Sequence, residues 1–344
     1  MKYWLSLSVL CSVVVQAAEV DQFTDVTPLQ DSSEVIADEV NRRIQLAVSK
    51  ANSFYPRALQ PKKSHHRRRP QCDVERLYSQ LQYQLARPLV GQLESFAEQS
   101  DLVAKRWVAF PESVYQDYQE KEAPTLVLSE RIAAVIKVNG VDIGSDKLGH
   151  FFTEGRTYFE ITDRLNNGTS AGIAFGDWSE SLYFGAQTTG VFSYADLTAN
   201  FNGMRFWNRV LANQPDPLTN QNIEPYIQCK NKRWVVAEGF DFSAYVDSGW
   251  NEAVNCSAFR TEQLLQKVMS HHPQCQIEKL PRRYGALSDK ILNLQGLKVL
   301  PEILQPEAVL ARRAEEYRWQ LPEEMLEKIK QVRLDLERWR SGSQ

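Results

Sequence analysis

Several features are scarce in this chain, and each scarcity closes a class of function. Beyond residue 17 no apolar run approaches the roughly 18 residues needed to cross a bilayer, so the remainder carries no membrane-helix signature. Positive charge is not in excess: the formal net charge is -3 and the pI about 6.0, which withdraws electrostatic support for a nucleic-acid partner. Glycine-rich phosphate loops, a Gly-x-Ser-x-Gly elbow and a His-Glu-x-x-His helix are all missing, so standard serine-hydrolase and zincin chemistry lack their motifs. Only one of the five histidines lies in the central region, too few for the usual nitrogen-rich zinc site. No internal repeat is visible, and few stretches alternate with period two. The composition, 43% hydrophobic and 24% charged, is ordinary for a globular protein and excludes collagen-like, low-complexity and wholly disordered chains.

The first 17 residues, MKYWLSLSVLCSVVVQA, have the layout of an export signal. Lys2 gives the positive start, Leu5 to Val15 the apolar stretch, and Val15-Gln16-Ala17 the small-residue cleavage site, so the mature chain is expected to begin near Ala18. A buried N-terminal helix is the alternative. Leu10 stands before Cys11 where lipid attachment asks for a small residue, which favours a mature chain without a lipid anchor. Removing the leader leaves Cys72, Cys229, Cys256 and Cys275, an even set that an exported protein is expected to oxidise. Four cysteines allow three pairings; the short loop from Cys229 to Cys256 points to Cys229–Cys256 with Cys72–Cys275.

Residues 18–73 read as a polar, basic, partly disordered segment ending in Lys62-Lys63-Ser64-His65-His66-Arg67-Arg68-Arg69. That run is expected to be a solvated loop rather than an anion-binding surface, and His65 and His66, side by side, point apart on any regular element. From Val74 a helical period sets in, with Val74, Leu77, Leu81 and Leu85 on one stripe. Pro88 bends or restarts that helix before Leu93 and Phe96. Leu126 to Val138 suits either a strand or a buried helix, broken by Asn139-Gly140. A helix is expected around Thr261 to Met269. Met325, Ile329, Val332, Leu336 and Trp339 make a final stripe that docks on its own domain more readily than on a partner. The expected fold is mainly α: an irregular helical domain over 74–340, with a central three-helix core and a disulfide-bearing irregular segment.

The polar-site helices fall within 146–212. On the first, Leu148, Phe151, Phe152, Gly155, Tyr158 and Phe159 share one side, and Asp146, His150, Thr153 and Thr157 the other. The second, Ile173 to Gln187, is apolar nearly all round, with Phe175, Trp178, Leu182 and Phe184, yet carries Glu180. The third starts at Ser193 with a capping-box-like Asp196. Its apolar side, Leu197, Met204, Trp207 and Leu211, also bears Asp196, Asn200 and Gly203, whereas Thr198, Asn202, Arg205 and Arg209 are assigned to solvent. A buried carboxylate and amide need partners, so Asp196 and Asn200 are expected to face His150 or Glu180 across a helix interface. His150, Glu180, Asp146 and Asp196 are the candidate proton-handling residues, with Lys147, Asn200 and Trp207 as binding residues. Three carboxylates in a dry site also need cations: Lys147, protonated His150, or a divalent metal. Oxygen ligands with one imidazole suit Mg, Mn or Ca.

Asp146-Lys147-Leu148-Gly149-His150-Phe151, then Glu180, then Ser193-Tyr194-Ala195-Asp196-Leu197-Thr198-Ala199-Asn200 resembles the uncharacterised predicted periplasmic lipoproteins related to VanZ-like proteins. Their pattern is Asp-Lys-x-x-His-Phe, a later Glu, and a Ser-x-x-Asp-x-x-x-Asn helix start. The resemblance spans Asp146 to Trp207, under a fifth of the chain, and implies a cell-envelope setting and a shared polar site without supplying a reaction. This chain departs from the family in lacking a lipid-attachment cysteine. A competing pattern is the Glu154, Asp163, Thr169 spacing of phage-type lysozymes, which would make Glu154 the general acid of a muramidase. A lysozyme acid stands at a helix end before a β-hairpin, whereas the aromatic period here runs on to Tyr158 and Phe159. Two further classes stay open: a hydrolase, with or without a metal, acting on an envelope component, and a non-catalytic binding or scaffold protein whose polar cluster is structural.

Overall fold

The computed structural model describes residues 19–53, 72–86, 91–128, 132–164, 168–305 and 308, apart from the side chains of Arg164, Tyr183 and Phe184. The leader, the basic run with His65 and His66, and the stripe from Met325 to Trp339 lie outside this set. Helices dominate, with small sheets between them. No described helix is long and apolar enough to cross a membrane.

The polar composition of the N-terminal segment conceals a long helix, α1 (Ser33–Asn52). Ile36, Val40, Ile44, Ala47, Val48 and Ala51 form one buried stripe on it, at spacings of four and three that the many charges around them obscure. The stripe packs on α2 (Val74–Leu85), which is capped by Asp73, its side chain accepting from the Arg76 N–H at 3.0 Å. Leu77, Leu81 and Leu85 are buried as their spacing requires, while Val74, in the first turn, stays exposed. A short helix α3 (Gln92–Gln99) buries Leu93 and Ala97.

The segment from Leu126 to Val138 is split between the two conformations its composition allows. It begins in a helical turn, α4 (Pro124–Val127), and ends in a strand. Strands β1 (Lys105–Arg106), β2 (Val135–Val138) and β3 (Val141–Gly144) form an antiparallel sheet. Asn139-Gly140 supplies the two-residue turn between β2 and β3, both with positive φ (53° and 76°), the combination that matches the strand twist.

The central region is a helical run over 146–164, made of α5 (Asp146–Gly149), a π turn His150–Glu154, α6 (Gly155–Phe159) and a second π turn Glu160–Arg164. α7 (Thr169–Ser179) continues into a third π turn, Glu180–Phe184. After β4 (Val191–Phe192) comes α8 (Tyr194–Arg209), which crosses α6 at a glycine pair. A methyl group on Gly155 would stand 2.5 Å from Gly203 Cα, and one on Gly203 would collide with the Phe151 carbonyl. Phe151, Phe152, Phe159 and Trp207 are buried here; Trp178 is only partly buried.

α8 departs from its expected wet face. Thr198, Asn202 and Arg205 are buried and only Arg209 reaches the surface. The chain after α8 wraps that side and satisfies each polar group. Arg205 pairs with Asp216 (2.9 Å) and donates to Asn202 Oδ1 and Ala244 O; Asn202 donates to Tyr284 OH (2.8 Å); Thr198 donates to Ile291 O (2.9 Å). This wrapping segment is less irregular than expected. It holds the hairpin β5 (Ile227–Lys230) and β6 (Arg233–Val236), then β7 (Ala258–Phe259), α9 (Glu262–Met269) and β8 (Lys298–Val299). β7 pairs antiparallel with β4 and parallel with β8.

Both disulfides differ from the pairing that loop length suggests. Cys72 bonds Cys229, tying the start of α2 to the β5–β6 hairpin, and Cys256 bonds Cys275. Because α1 carries α2 against β6, Cys72 meets Cys229 (Cα separation 5.9 Å), a proximity invisible to sequence spacing.

Candidate functional site

Lys147 is the centre of a charged cluster built from α5, α8 and the wrapping segment. Its side chain is 0% exposed, and its Nζ lies 2.7 Å from Asp146 Oδ2, 2.6 Å from Asp196 Oδ1 and 2.6 Å from Glu252 Oε1. Burial disfavours the ammonium, but the three carboxylates prevail and raise its pKa well above the ordinary lysine range. Asp196 is shared. Its Oδ2 stands 3.1 Å from His150 Nε2, while His150 Nδ1 is 3.2 Å from Asn200 Oδ1. With an oxygen acceptor on each ring nitrogen, the imidazolium form is the one that satisfies both contacts. Burial opposes that charge, yet Asp196 outweighs it and His150 is pushed up to about 10. For Asp196 itself burial also works against ionisation, and His150 and Lys147 overcome it, holding the carboxyl well below the usual carboxylate range.

Asp196 and Asn200 thus lie buried across a helix interface from His150, four residues apart on α8, as their position on an apolar face requires. Ser193 links the cluster to Glu180. Its hydroxyl caps α8 by accepting from the Asp196 N–H (3.2 Å) and donates to Glu252 Oε1 (3.0 Å), while its own N–H donates to Glu180 Oε1 (3.0 Å). Burial, reinforced by Asp196, raises Glu180 to about 8. Burial raises Glu252 to about 7 despite the relief from Lys147, and raises Asp146 despite the same neighbour.

The cluster meets solvent at His150, whose side chain is 15% exposed. Two half-buried carboxyls flank it. Glu94, on α3, lies over Gly149, where a side chain would crowd its carboxylate, and burial together with Asp146 pushes it up to about 8. Glu154 closes the π turn that His150 opens; burial raises it, partly countered by the His150 charge. Asn200 also donates to Tyr158 OH at 3.4 Å. π turns are frequent at functional sites, and two of the three here begin at His150 and Glu180.

Asp146, His150 and Asp196 each offer a ligand atom within 4.8 Å of the others. An O, O, N set of this kind suits Mg, Mn or Ca, and a divalent ion there would share two of its carboxylates with Lys147. Trp207 does not belong to this network. It is fully buried, its indole N–H donates to Phe152 O (2.9 Å), and the Arg156 guanidinium lies over its ring. Glu154 sits midway along the helical run 146–164, not at a helix end, and Asp163, raised by burial to about 6, lies in the second π turn.

Glu252 and Glu94 are members that sequence reasoning missed. Glu252 comes from a segment without periodicity, so no helical wheel could place it. Glu94 adjoins Leu93 on the buried side of α3, the one signal that could have marked it. No family model, curated protein or solved structure matches the chain.

Proposed function

We propose that this chain is exported to the cell envelope and that the Lys147–His150 cluster is the acid–base centre of a hydrolase acting on an envelope component. The carrying observation is the divergence of neighbouring carboxyls: Asp196 is held ionised while Glu180 and Glu94 keep their protons near neutral pH, around a histidine that reaches solvent. Pairs of acids driven apart in this way divide into proton donor and charge stabiliser. In this reading Glu94 and Glu154 are the rim acids, and His150, held by Asp196 and Asn200, presents a fixed positive charge to an anionic transition state. Glu180 holds a proton behind it. The muramidase alternative draws its acid, Glu154, from the same cluster. An envelope setting is supported by the leader, by two disulfides of the kind oxidising compartments favour, and by the resemblance over Asp146 to Trp207.

The test is release of soluble fragments from purified envelope material, peptidoglycan sacculi and outer-membrane lipid assayed separately. Wild-type protein should release fragments from one of them, and Glu180→Gln and Glu94→Gln should reduce the rate at least tenfold. No release from either substrate would end the hydrolase reading. One observation favours a second reading, in which the cluster is a structural lock: Lys147 is wholly enclosed by its carboxylates, as a purely architectural ion pair would be.

A further inference from the structure

Asp146, His150 and Asp196 are each fastened by a partner on one polar atom. Lys147 holds Asp146 Oδ2 at 2.7 Å and Asp196 Oδ1 at 2.6 Å, and Asn200 Oδ1 stands 3.2 Å from His150 Nδ1. Outer contacts of this kind orient carboxylates and imidazoles that bind metal ions. Each residue has a second polar atom. For Asp196 and His150 these are Oδ2 and Nε2, 3.1 Å apart. For Asp146 it is Oδ1, buried with no hydrogen-bond partner among the described residues on a side chain 8% exposed. One ligand atom from each residue falls within 4.8 Å of the others, although Asp146 and His150 come from the helical run 146–164 and Asp196 from the first turn of α8.

With the His150 Nδ1–H donating to Asn200, the Nε2 lone pair faces a carboxylate oxygen, and a cation must stand between two such acceptors. A proton is one solution and a divalent ion the other. Adjacent ligands of an octahedral ion with bonds of about 2.1 Å stand about 3.0 Å apart, which matches the 3.1 Å spacing, whereas calcium bonds of about 2.3–2.6 Å ask for about 3.3–3.7 Å. An imidazole among the ligands favours Mn over Mg, which takes oxygen and dehydrates reluctantly. Charge points the same way. Asp146, Glu180, Asp196 and Glu252 are buried around two monovalent cations, Lys147 and His150, so exchanging one proton for a divalent ion adds positive charge where acids outnumber bases.

We propose that Asp196 Oδ2, His150 Nε2 and a carboxylate oxygen of Asp146 bind one divalent ion of the Mn2+ class, which takes the place of the His150 Nε2 proton. The displaced proton passes to solvent at the exposed edge of the ring, the Nδ1–H stays on Asn200, and Lys147 keeps its hold on both carboxylates. Three protein ligands leave the remaining positions to water. The proton-loaded and ion-loaded forms are therefore two states of one site. This inference uses the cluster of the hydrolase reading but does not depend on that reading, because it concerns binding alone.

The experiment titrates chelator-treated protein with Mn2+ alone and follows the free ion by electron paramagnetic resonance. One ion should bind per chain with a Kd tighter than about 0.1 mM, and Asp146→Asn should weaken it about tenfold or more. Spin-echo modulation of the bound ion should show one imidazole nitrogen, sensitive to 15N-labelling of histidine, a readout on the wild-type chain that needs no variant to fold. The nitrogen signal should vanish in His150→Gln and persist in His271→Gln. Absence of binding at about 1 mM Mn2+, an ion bound without the nitrogen signal, or a signal that survives His150→Gln overturns the inference. Ca2+ at equal concentration should leave most of the Mn2+ bound; equal competition would overturn the choice of ion. Fragment release is assayed apart from binding, so its failure ends the hydrolase reading and leaves the ion site standing, while failure of Mn2+ to bind leaves that reading to the proton-loaded form.

Discussion

Replacing Lys147 with methionine removes the ammonium at the centre of the cluster while nearly conserving volume. Three carboxylates lie within 2.7 Å of its Nζ, and none of the four residues is appreciably exposed. Deleting one partner of a buried ion pair costs about 3–5 kcal/mol, because the remaining charge is left without compensation. Asp196 keeps His150, but Asp146 and Glu252 lose their cation, so Lys147→Met should fall in that range at pH 8, a drop in Tm of about 10 °C. At pH 5 the penalty should shrink by at least half, since Asp146 and Glu252, already raised, can protonate instead of remaining as unpaired anions. Urea unfolding of wild type and variant at both pH values measures this directly. A loss below about 1 kcal/mol at pH 8, or one that does not change with pH, would refute the charge accounting.

The cluster also fixes the pH dependence of the wild type. Glu94, Glu180 and Glu252 are raised from 4.5 to about 8, 8 and 7, so the folded state binds more protons than the unfolded state across that window; His150, raised from 6.5 to about 10, adds to this up to pH 10. Stability measured by urea unfolding should therefore decline from pH 5 to pH 9; a rise over that range would contradict the assignment. Asp196, lowered, acts in the opposite sense, and its contribution is lost as pH falls below about 4. Asn200→Leu removes the amide oxygen that faces His150 Nδ1 at 3.2 Å and should destabilise by about 1–3 kcal/mol in thermal or urea melts. Gly203→Ala drives a methyl group into the Phe151 carbonyl and should cost a similar amount, about 1–3 kcal/mol, by prying α8 from α6.

How much of this was legible depends on where each residue lies. The polar stripe of α5 and the misplaced Asp196 and Asn200 on an apolar face could be read from helical periodicity, because both partners lie on regular helices. The same reasoning misassigned Thr198, Asn202 and Arg205, since a helical wheel grants every helix one wet face and α8 has almost none. Its coverage comes from residues 216–293, a stretch whose contacts follow no period. Glu252 was hidden for that reason, and the disulfide pairing for a related one: Cys72 and Cys229 are brought together by the packing of α1 on β6, not by loop length. The buried stripe of α1 was masked by charges such as Glu39, Arg42 and Arg43; Glu39 pairs with both arginines, and Arg43 also donates to Gln84 O and Gln92 Oε1 at the edge of the packed face.

The central claim is that the cluster works on a substrate instead of merely holding the helices together, and His150→Gln tests it most directly. Glutamine retains a donor toward Asp196, and Asp196 keeps Lys147. Losing the imidazolium beside Asp196 should lower Tm by several degrees, yet the variant should remain cooperatively folded and lose at least tenfold in fragment release from envelope material. A folded variant that releases fragments at the wild-type rate would contradict the account.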